Sequence, residues 1–277
     1  MLRKPSSING VGIVQFLLAA VFVVWLLFFP DTGSQFAWPI PQRLSAMFIG
    51  TSFILRTFLG FHLFHEKYWH RLRWIVWGNF TFLGVLFLAT YWHLDEMNWK
   101  SNIGIAHIWV IAYTIEALVL VLIEPHGPES KQSVPPEASE GPVSVWMQRA
   151  LGVVFVLGIT GGGFLFINPQ FASTRWPWEL QPFNARVMAA WPAACGVWAA
   201  TMYFARDWAE VKMGVQTLIL YTTALFVVWI FTYSQYKPGL GTGLTYGLVS
   251  GLVALVLGFL YWRQEVAKAQ LMEQGGR

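Results

Sequence analysis

Two charged side chains, Arg56 and Glu116, lie deep inside long apolar stretches of the sequence. A charge at such depth in a bilayer costs at least ~2.5 kcal/mol and usually faces a partner or a cavity. Each residue lies thirteen positions after the start of its stretch, Arg43 or Ile103. Both therefore descend about 20 Å at the helical rise of 1.5 Å per residue. We predict a buried ion pair, which is either a static clamp between helices or part of a proton or substrate site.

Four residues around the turn between the third and fourth apolar stretches carry metal-ligating groups: His93, Asp95, Glu96 and His107. Imidazole nitrogens and carboxylate oxygens suit zinc and other borderline cations. The sequence therefore allows a metal site at the outer face of the membrane that the chain spans. Such a site would serve a membrane enzyme acting on lipid. The alternative, which we favour, is a hydrated loop without a metal.

His62 lies near the cytoplasmic end of the second apolar stretch. A neutral imidazole in an apolar helix is able to ligate haem iron or a chlorophyll-type magnesium. A bis-histidine haem needs two histidines at equal depth, whereas His93 and His107 are expected at the outer side. We therefore keep two interpretations of His62, a single-histidine pigment ligand and an interfacial residue among charged neighbours.

Long helices must position these residues, because the 277-residue chain is 56% hydrophobic and only 12% charged. Soluble globular proteins carry about 25% charged residues. The apolar residues form continuous blocks of about twenty, the length that crosses a bilayer as a helix. We predict an all-α integral membrane protein with about eight transmembrane helices. The blocks are 11–29, 43–64, 73–93, 103–123, 146–167, 186–205, 213–233 and 242–262.

The distribution of basic residues predicts the orientation of the chain. With a cytoplasmic N-terminus, twelve of the eighteen Lys and Arg residues lie on the cytoplasmic side and five on the outer side, leaving Arg56 within a helix. The positive-inside rule then favours cytoplasmic N- and C-termini in a bacterial inner membrane. The same asymmetry accounts for the net charge of +4, so we expect membrane lipid, and not nucleic acid, as the partner.

The chain has two similar halves on either side of a polar segment. Residues 124–145 are rich in proline and glutamate, which predicts a flexible cytoplasmic linker. Each half carries the pattern Trp-x-Ile/Leu, at 38–40 and at 178–180, before a helix start with small residues. We predict a tandem duplication of parallel four-helix repeats, residues 1–123 and 146–277.

The two halves differ in their polar residues. At an offset of 139 residues, Arg56 corresponds to Cys195, the single cysteine, and Glu116 corresponds to Leu255. The histidines near the membrane surface also belong to the first half. We therefore expect any functional site in the first half and packing in the second.

The same patterns carry a resemblance. The Trp-x-Ile/Leu approach, the small-residue helix start and the run LATYWHLD at 88–95 resemble a group of uncharacterised bacterial polytopic membrane proteins. The resemblance covers most of the chain. It implies a topology of about eight helices, and it implies no chemistry because the group has no established activity.

Gly243, Gly247 and Gly251 form the pattern GxxxGxxxG in the last apolar block. Spacing by four places the three glycines on one helix face, where another backbone approaches closely. The partner is either a helix of the same chain or another subunit.

The sequence contains no phosphate-binding loop, no serine-hydrolase elbow and no zinc-protease motif. We interpret the chain as a non-catalytic accessory or scaffolding subunit of a larger bacterial respiratory or photosynthetic membrane complex. Its aromatic faces would hold lipid, quinone, carotenoid or chlorophyll-type pigment between other membrane subunits. Two alternatives remain: a small-solute transporter with Arg56 and Glu116 in its pathway, and a membrane enzyme with an outer-face metal site.

Overall fold

The computed structural model describes residues 7–101, 103–123, 134, 138–237 and 243–275. This described part of the chain is all helical and contains no β-strand. Its helices are α1 (Ser7–Val23), α2 (Arg43–His65), α3 (Arg73–Trp92), α4 (Ile105–Ile123), α5 (Val145–Ile167), α6 (Pro169–Arg175), α7 (Pro182–Met188), α8 (Ala190–Tyr203), α9 (Trp208–Thr232) and α10 (Gly243–Gly275). One π-helical turn, Val24–Phe28, extends α1.

Each of the eight apolar blocks contains helix, but only six of the described helices are long and apolar enough to cross a membrane. They are Ile8–Phe28, Arg43–His65, Trp74–Trp92, Val145–Ile167, Trp208–Gln235 and Gly243–Gln270. Ile105–Leu118, within α4, is a further apolar helical stretch. The helices are compatible with a multi-pass membrane protein, and eight crossings stay a prediction.

The sixth block, 186–205, is divided between α7 and α8 at Ala189. Pro192 has no N–H group, so the carbonyl of Met188, four residues earlier, receives no helical hydrogen bond from it. Ala189 still donates to Ala185 O at 3.0 Å, and Ala193 donates to Ala189 O at 3.2 Å. Helical bonding therefore continues through Ala189, whose backbone dihedrals are themselves helical (φ −60°, ψ −26°), and the missing bond at Pro192 is a local irregularity.

The centre of the bundle consists of α2, α3, α8 and α9. α2 lies against α9, and α3 lies against α8, so the two halves share one core. Outside this centre, α1 packs on α2 and α5 packs on α8, while α4 packs on α3 and α10 packs on α9. Helices at the same place in the two halves therefore have equivalent neighbours. The largest fully buried side chains include five tryptophans, Trp38, Trp109, Trp191, Trp198 and Trp208.

Glycines allow the outer helices to approach the centre closely. A Cβ atom on Gly12 of α1 would lie 2.9 Å from the carbonyl oxygen of Gly60 in α2. In the second half, a Cβ atom on Gly158 of α5 would lie 2.7 Å from the Cα of Gly196 in α8. Both crossings thus bring backbone against backbone, the contact that gains dispersion energy where apolar burial cannot drive association in lipid.

At one end of the bundle, the segments that precede α2 and α7 exchange tryptophan side chains between the halves. Trp38 Nε1 donates to Asn184 Oδ1 in α7 at 2.7 Å. Trp178 Nε1 donates to Ser45 Oγ in α2 at 2.8 Å. Each segment therefore places its tryptophan side chain against a helix of the other half, and two buried hydrogen bonds connect the halves at this end.

The predicted linker 124–145 lies mostly outside the described residues. Its described end, 138–144, runs along the opposite end of the bundle, beside the loop that precedes α9. Val143 N donates to Arg206 O at 3.1 Å, and Trp208 N donates to Gly141 O at 2.8 Å. Gln264 Nε2 in α10 donates to Pro142 O at 2.8 Å, so backbone bonds at the start of α9 and a side-chain bond from α10 hold this part of the segment.

Candidate functional site

The structure brings together Arg56 of α2 and Glu116 of α4, which form an ion pair through Arg56 Nη2 and Glu116 Oε1. The side chain of Arg56 is 2% exposed and that of Glu116 is 15% exposed. Arg56 Nη1 also donates to Asn79 Oδ1 of α3 at 2.8 Å. The guanidinium carbon lies 4.6 Å from the ring centre of Phe82, within the range of a cation–π contact. Three helices therefore surround this buried cation.

Gln15 of α1 joins the same polar cluster. Its Nε2 donates to the carbonyl oxygen of Arg56 at 3.1 Å. The Oε1 atom of Gln15 and the Nδ2 atom of Asn79 are buried and have no hydrogen-bond partner. A buried polar atom without a partner costs about 1–3 kcal/mol, so the cluster holds one unused acceptor and one unused donor.

A crevice of about 290 Å³ opens between α1 and α4 beside the ion pair, and we call it the first crevice. Its polar lining comes from Gln15, Arg56, Tyr113 and Glu116. The remaining wall is apolar, with Gly10 at one edge. That wall includes Val11, Val14, Leu18, Ala19, Phe22, Ile108, Trp109, Ala112 and Ile115.

A second crevice, of about 640 Å³, occupies the equivalent place in the second half, between α5 and α10. Cys195, which corresponds to Arg56, lies in its wall. The wall also includes Phe48, Gly161, Phe164, Leu218, Tyr221, Thr222, Leu225, Tyr246, Val249, Ser250 and Val253.

The hydroxyl groups of Ser250 and Thr222 in the second crevice are already bonded within the protein. Ser250 Oγ donates to Tyr246 O and Gly247 O, each at 3.0 Å. Thr222 Oγ1 donates to Leu218 O at 2.8 Å. By contrast, the buried Trp176 Nε1 has no partner, and Arg175 lies beside it in the lining. The crevice thus has a mostly apolar lining, with the Trp176 indole N–H as an unused donor and Arg175 next to it in the chain.

His93 is a buried contact between the two halves. Its Nδ1 lies 2.6 Å from Glu96 Oε1, and its Nε2 lies 2.7 Å from Arg186 Nη1. Because a guanidinium only donates, His93 Nε2 is the acceptor of the bond from Arg186. The ring proton is therefore assigned to Nδ1, which donates a hydrogen bond to Glu96 Oε1. The imidazole also stacks on Phe183, with ring centres 4.7 Å apart.

The four predicted metal-ligating residues are not brought together. Within the described ranges, no group of three or more His, Cys, Asp or Glu residues is placed to hold a metal ion. Both nitrogens of His93 are engaged by Glu96 and Arg186, Asp95 is exposed, and His107 packs against Trp99 with ring centres 5.1 Å apart. The structure therefore does not bring His93, Asp95, Glu96 and His107 together, because the first histidine turns inward, and a metal site there stays a prediction that this geometry does not support.

His62 is half-buried near the end of α2. Its ring lies beside Phe61 and Phe58, with ring centres 5.9 and 6.4 Å away. It lines neither crevice. A pigment-ligating role for His62 stays a prediction that neither crevice supports.

The glycine face of α10 packs inside the molecule, against aromatic rings of α9. A Cβ atom on Gly247 would lie 2.1 Å from the ring of Trp229, and one on Gly251 would lie 2.8 Å from the ring of Phe226. Trp229 Nε1 donates to Gly243 O at 2.8 Å. The glycines therefore make room for aromatic side chains and not for the backbone of a second subunit.

The Glu140 side chain, in the segment 138–144, is surrounded by basic residues at this end of the bundle. The Glu140 carboxylate pairs with Arg71 at 3.5 Å, with Lys212 at 3.8 Å and with Lys268. Lys212 also pairs with Glu265 at 2.8 Å. These pairs connect the segment to α9, α10 and the turn after α2.

Sequence reasoning missed Gln15 and the contact of Arg186 with His93. Gln15 offers a signal, since it is a polar residue within the most apolar part of the first block. The partner of His93 lies 93 residues away and carries no local signal. Comparison of the chain with family models, with curated proteins and with solved structures finds no match in any of the three.

Proposed function

We propose that this protein is a non-catalytic accessory or scaffolding subunit of a larger bacterial membrane complex, and that it holds a lipid-soluble molecule from the bilayer in its second crevice. The observation that carries the proposal is the crevice itself, with about 640 Å³ between α5 and α10. Ligand pockets generally have volumes of about 300–1,000 Å³ and mostly apolar walls. A crevice of this size on the outside of a bundle is suited to a molecule that arrives from the bilayer.

The chemistry of the lining favours an amphiphile whose polar end accepts hydrogen bonds. Trp176 Nε1 is an unused donor, and Arg175 adds a cation beside it. The hydroxyls of Thr222 and Ser250 are engaged with their own helices. A phospholipid with its phosphate at Arg175 and Trp176, and an acyl chain along α5 and α10, meets these conditions. Quinone, carotenoid and chlorophyll-type pigment are the other molecules that the experiment below distinguishes.

The protein would lie in the inner membrane as a 4+4 duplication, with eight crossings and both termini in the cytoplasm. The reciprocal bonds of Trp38 and Trp178 and the equivalent neighbours of the two sets of helices support the duplication. The excess of basic residues on one side supports the orientation. A fluorescent protein fused after Arg277 should fluoresce, because it folds in the cytoplasm. A fusion that is expressed but not fluorescent would indicate that the C-terminus lies on the outer side.

An accessory role fits the bundle better than transport. The core between the halves is filled by large side chains such as Trp191 and Trp198, which are fully buried. Both crevices instead open beside outer helices. Those helices expose large apolar side chains, including Phe28, Ile167 and Leu255, that lipid or other subunits of a respiratory or photosynthetic complex would cover.

Two glycines of α5 provide a matched test of the second crevice. A Cβ atom on Gly161 or on Gly163 would meet no atom within 4 Å, but only Gly161 lines the crevice. Gly161→Leu therefore fills the crevice, while Gly163→Leu adds the same bulk to the same helix elsewhere. Each variant is purified in a mild detergent with extended washing to remove bulk lipid, and the molecules that stay bound are measured by mass spectrometry and by visible absorption.

The native protein and Gly163→Leu should retain the same molecule, and Gly161→Leu should lose most of it, by about tenfold. Absorption in the visible range would identify a pigment, and phospholipid in the mass spectrum would identify lipid. Equal retention by Gly161→Leu would refute the binding proposal. The accessory role further requires that a fixed set of membrane proteins copurifies in constant ratio, and a solitary protein would contradict it.

A further inference from the structure

The first crevice has hydrogen-bond acceptors in its wall with unused capacity. Gln15 is only 5% exposed, and its Oε1 atom is buried without a hydrogen-bond partner. The Glu116 carboxylate receives a bond from Arg56 at Oε1, whereas a carboxylate offers about four acceptor positions. Both residues line the crevice, so a molecule there meets acceptors that need donors.

The donors around the crevice are largely committed to the protein. Arg56 donates to Glu116 and Asn79, and Gln15 Nε2 donates to the carbonyl of Arg56. The indole of Trp109 donates to Thr90 at 3.2 Å. The Tyr113 hydroxyl, which both donates and accepts, completes the polar lining. The lining residues therefore offer more free hydrogen-bond acceptors than free donors, which favours a ligand that donates a hydrogen bond.

The charge of the site selects against an ionic ligand. Arg56 compensates Glu116 within the protein, and a further unpaired charge in this buried place would carry a large desolvation cost. An uncharged hydroxyl supplies the missing donor without that cost. The volume of about 290 Å³ and the apolar side chains Val14, Leu18 and Ile115 suit a compact ring or short chain.

We propose that the first crevice binds an uncharged lipophile bearing a hydroxyl group, of the phenol or hydroquinone class, that enters from the bilayer between α1 and α4. Its hydroxyl donates to Gln15 Oε1, and its apolar body lies against Phe22 and Trp109. This inference is independent of the second crevice, because the two crevices share no lining residue.

A pair of probes that differ by one donor tests the inference. 4-Hexylphenol carries the hydroxyl, and 4-hexylanisole replaces its hydrogen with a methyl group. Binding of each is measured by isothermal titration calorimetry on the full-length protein in lipid nanodiscs, with protein-free nanodiscs subtracted. The native protein should bind the phenol about tenfold more tightly than the anisole, which is the effect of one hydrogen bond to an acceptor of this kind.

Three variants locate the binding. Gln15→Leu should weaken binding of the phenol by about tenfold and leave binding of the anisole unchanged. Gly10→Leu should weaken binding of both probes, because Gly10 lines the crevice and its added side chain enters open space. Gly84→Leu is the control, since its side chain also enters open space but lies outside the crevice.

Equal affinities for phenol and anisole would overturn the proposal, because the wall would then act as an apolar surface alone. Unchanged phenol binding by Gly10→Leu would also overturn it, since the probe would lie elsewhere; this arm holds even if Gln15→Leu does not fold. Gly161→Leu should not alter phenol binding. Failure at the second crevice and failure at the first are therefore separate results.

Discussion

The indole nitrogen of Trp38 donates to the amide oxygen of Asn184 at 2.7 Å, across 146 residues of sequence. Both residues are almost completely buried. The equivalent tryptophan of the second half, Trp178, donates to Ser45 at 2.8 Å in the opposite direction. A bond and its counterpart thus cross between the halves, and each places a neutral polar pair where an unpaired group would be costly.

Removing the indole N–H should have unequal effects at these two sites. Trp38→Phe leaves Asn184 Oδ1 buried without its donor and should lower the free energy of unfolding by about 1–3 kcal/mol beyond the loss of ring volume. Trp178→Phe leaves a serine hydroxyl, which turns to a carbonyl of the preceding helical turn at little cost. The measurement is reversible unfolding in mixed detergent micelles. Equal losses in the two variants would contradict this account, because both changes delete the same volume.

The Arg56–Glu116 pair should be much more sensitive to single than to double replacement. Glu116→Gln leaves a guanidinium with 2% exposure without its counter-charge, which should cost about 3–5 kcal/mol in stability. Arg56→Met with Glu116→Leu removes both charges, and its stability should return to within about 2 kcal/mol of the native value.

The double variant also separates the two interpretations of the pair. If it unfolds and copurifies like the native protein but no longer binds 4-hexylphenol in preference to 4-hexylanisole, the pair belongs to a binding site. If probe preference survives, the pair is a static clamp. A double variant as unstable as Glu116→Gln would show that the ion pair does not act as a unit.

Two glycines of α10 should respond oppositely to alanine. Gly247→Ala places a Cβ atom 2.1 Å from the ring of Trp229 and should destabilise the protein by about 1–3 kcal/mol, because the ring must move. Gly258→Ala meets no atom within 4 Å and should stabilise the helix by up to about 1 kcal/mol. Thermal unfolding in one detergent compares them. A neutral Gly247→Ala would mean that α9 and α10 are not packed through this face.

Glu140 should anchor the segment 138–144, whereas an exposed pair elsewhere should matter little. Glu140 is 16% exposed and pairs with three cations, so Glu140→Gln should weaken local stability by about 1–2 kcal/mol. Hydrogen exchange at the amides of Val143 and Trp208 should accelerate by about tenfold. The control is Asp31→Asn, because Asp31 and Arg43 are 74% and 49% exposed; unchanged exchange in Glu140→Gln would remove the anchoring role.

The sequence predicted the positions of the apolar helices and the shared depth of Arg56 and Glu116, because both follow from local geometry. A helix rises by a fixed distance per residue, and a block of about twenty apolar residues has the length of a bilayer core. The irregularity near Ala189 was not predicted although its cause, Pro192, is visible in the sequence, since proline is tolerated inside apolar helices when neighbours satisfy the freed carbonyl.

The tertiary structure alone decided which side chains meet. In lipid, the face of a helix toward the bilayer is as apolar as the face toward the core, so hydrophobic periodicity does not indicate which residues are inside. For this reason the pairing of His93 with Arg186, the exchange of Trp38 and Trp178 and the unused acceptor of Gln15 emerged only from packing. Composition and helix length established what kind of chain this is, and contacts between distant helices established where its crevices lie and what they offer to a ligand.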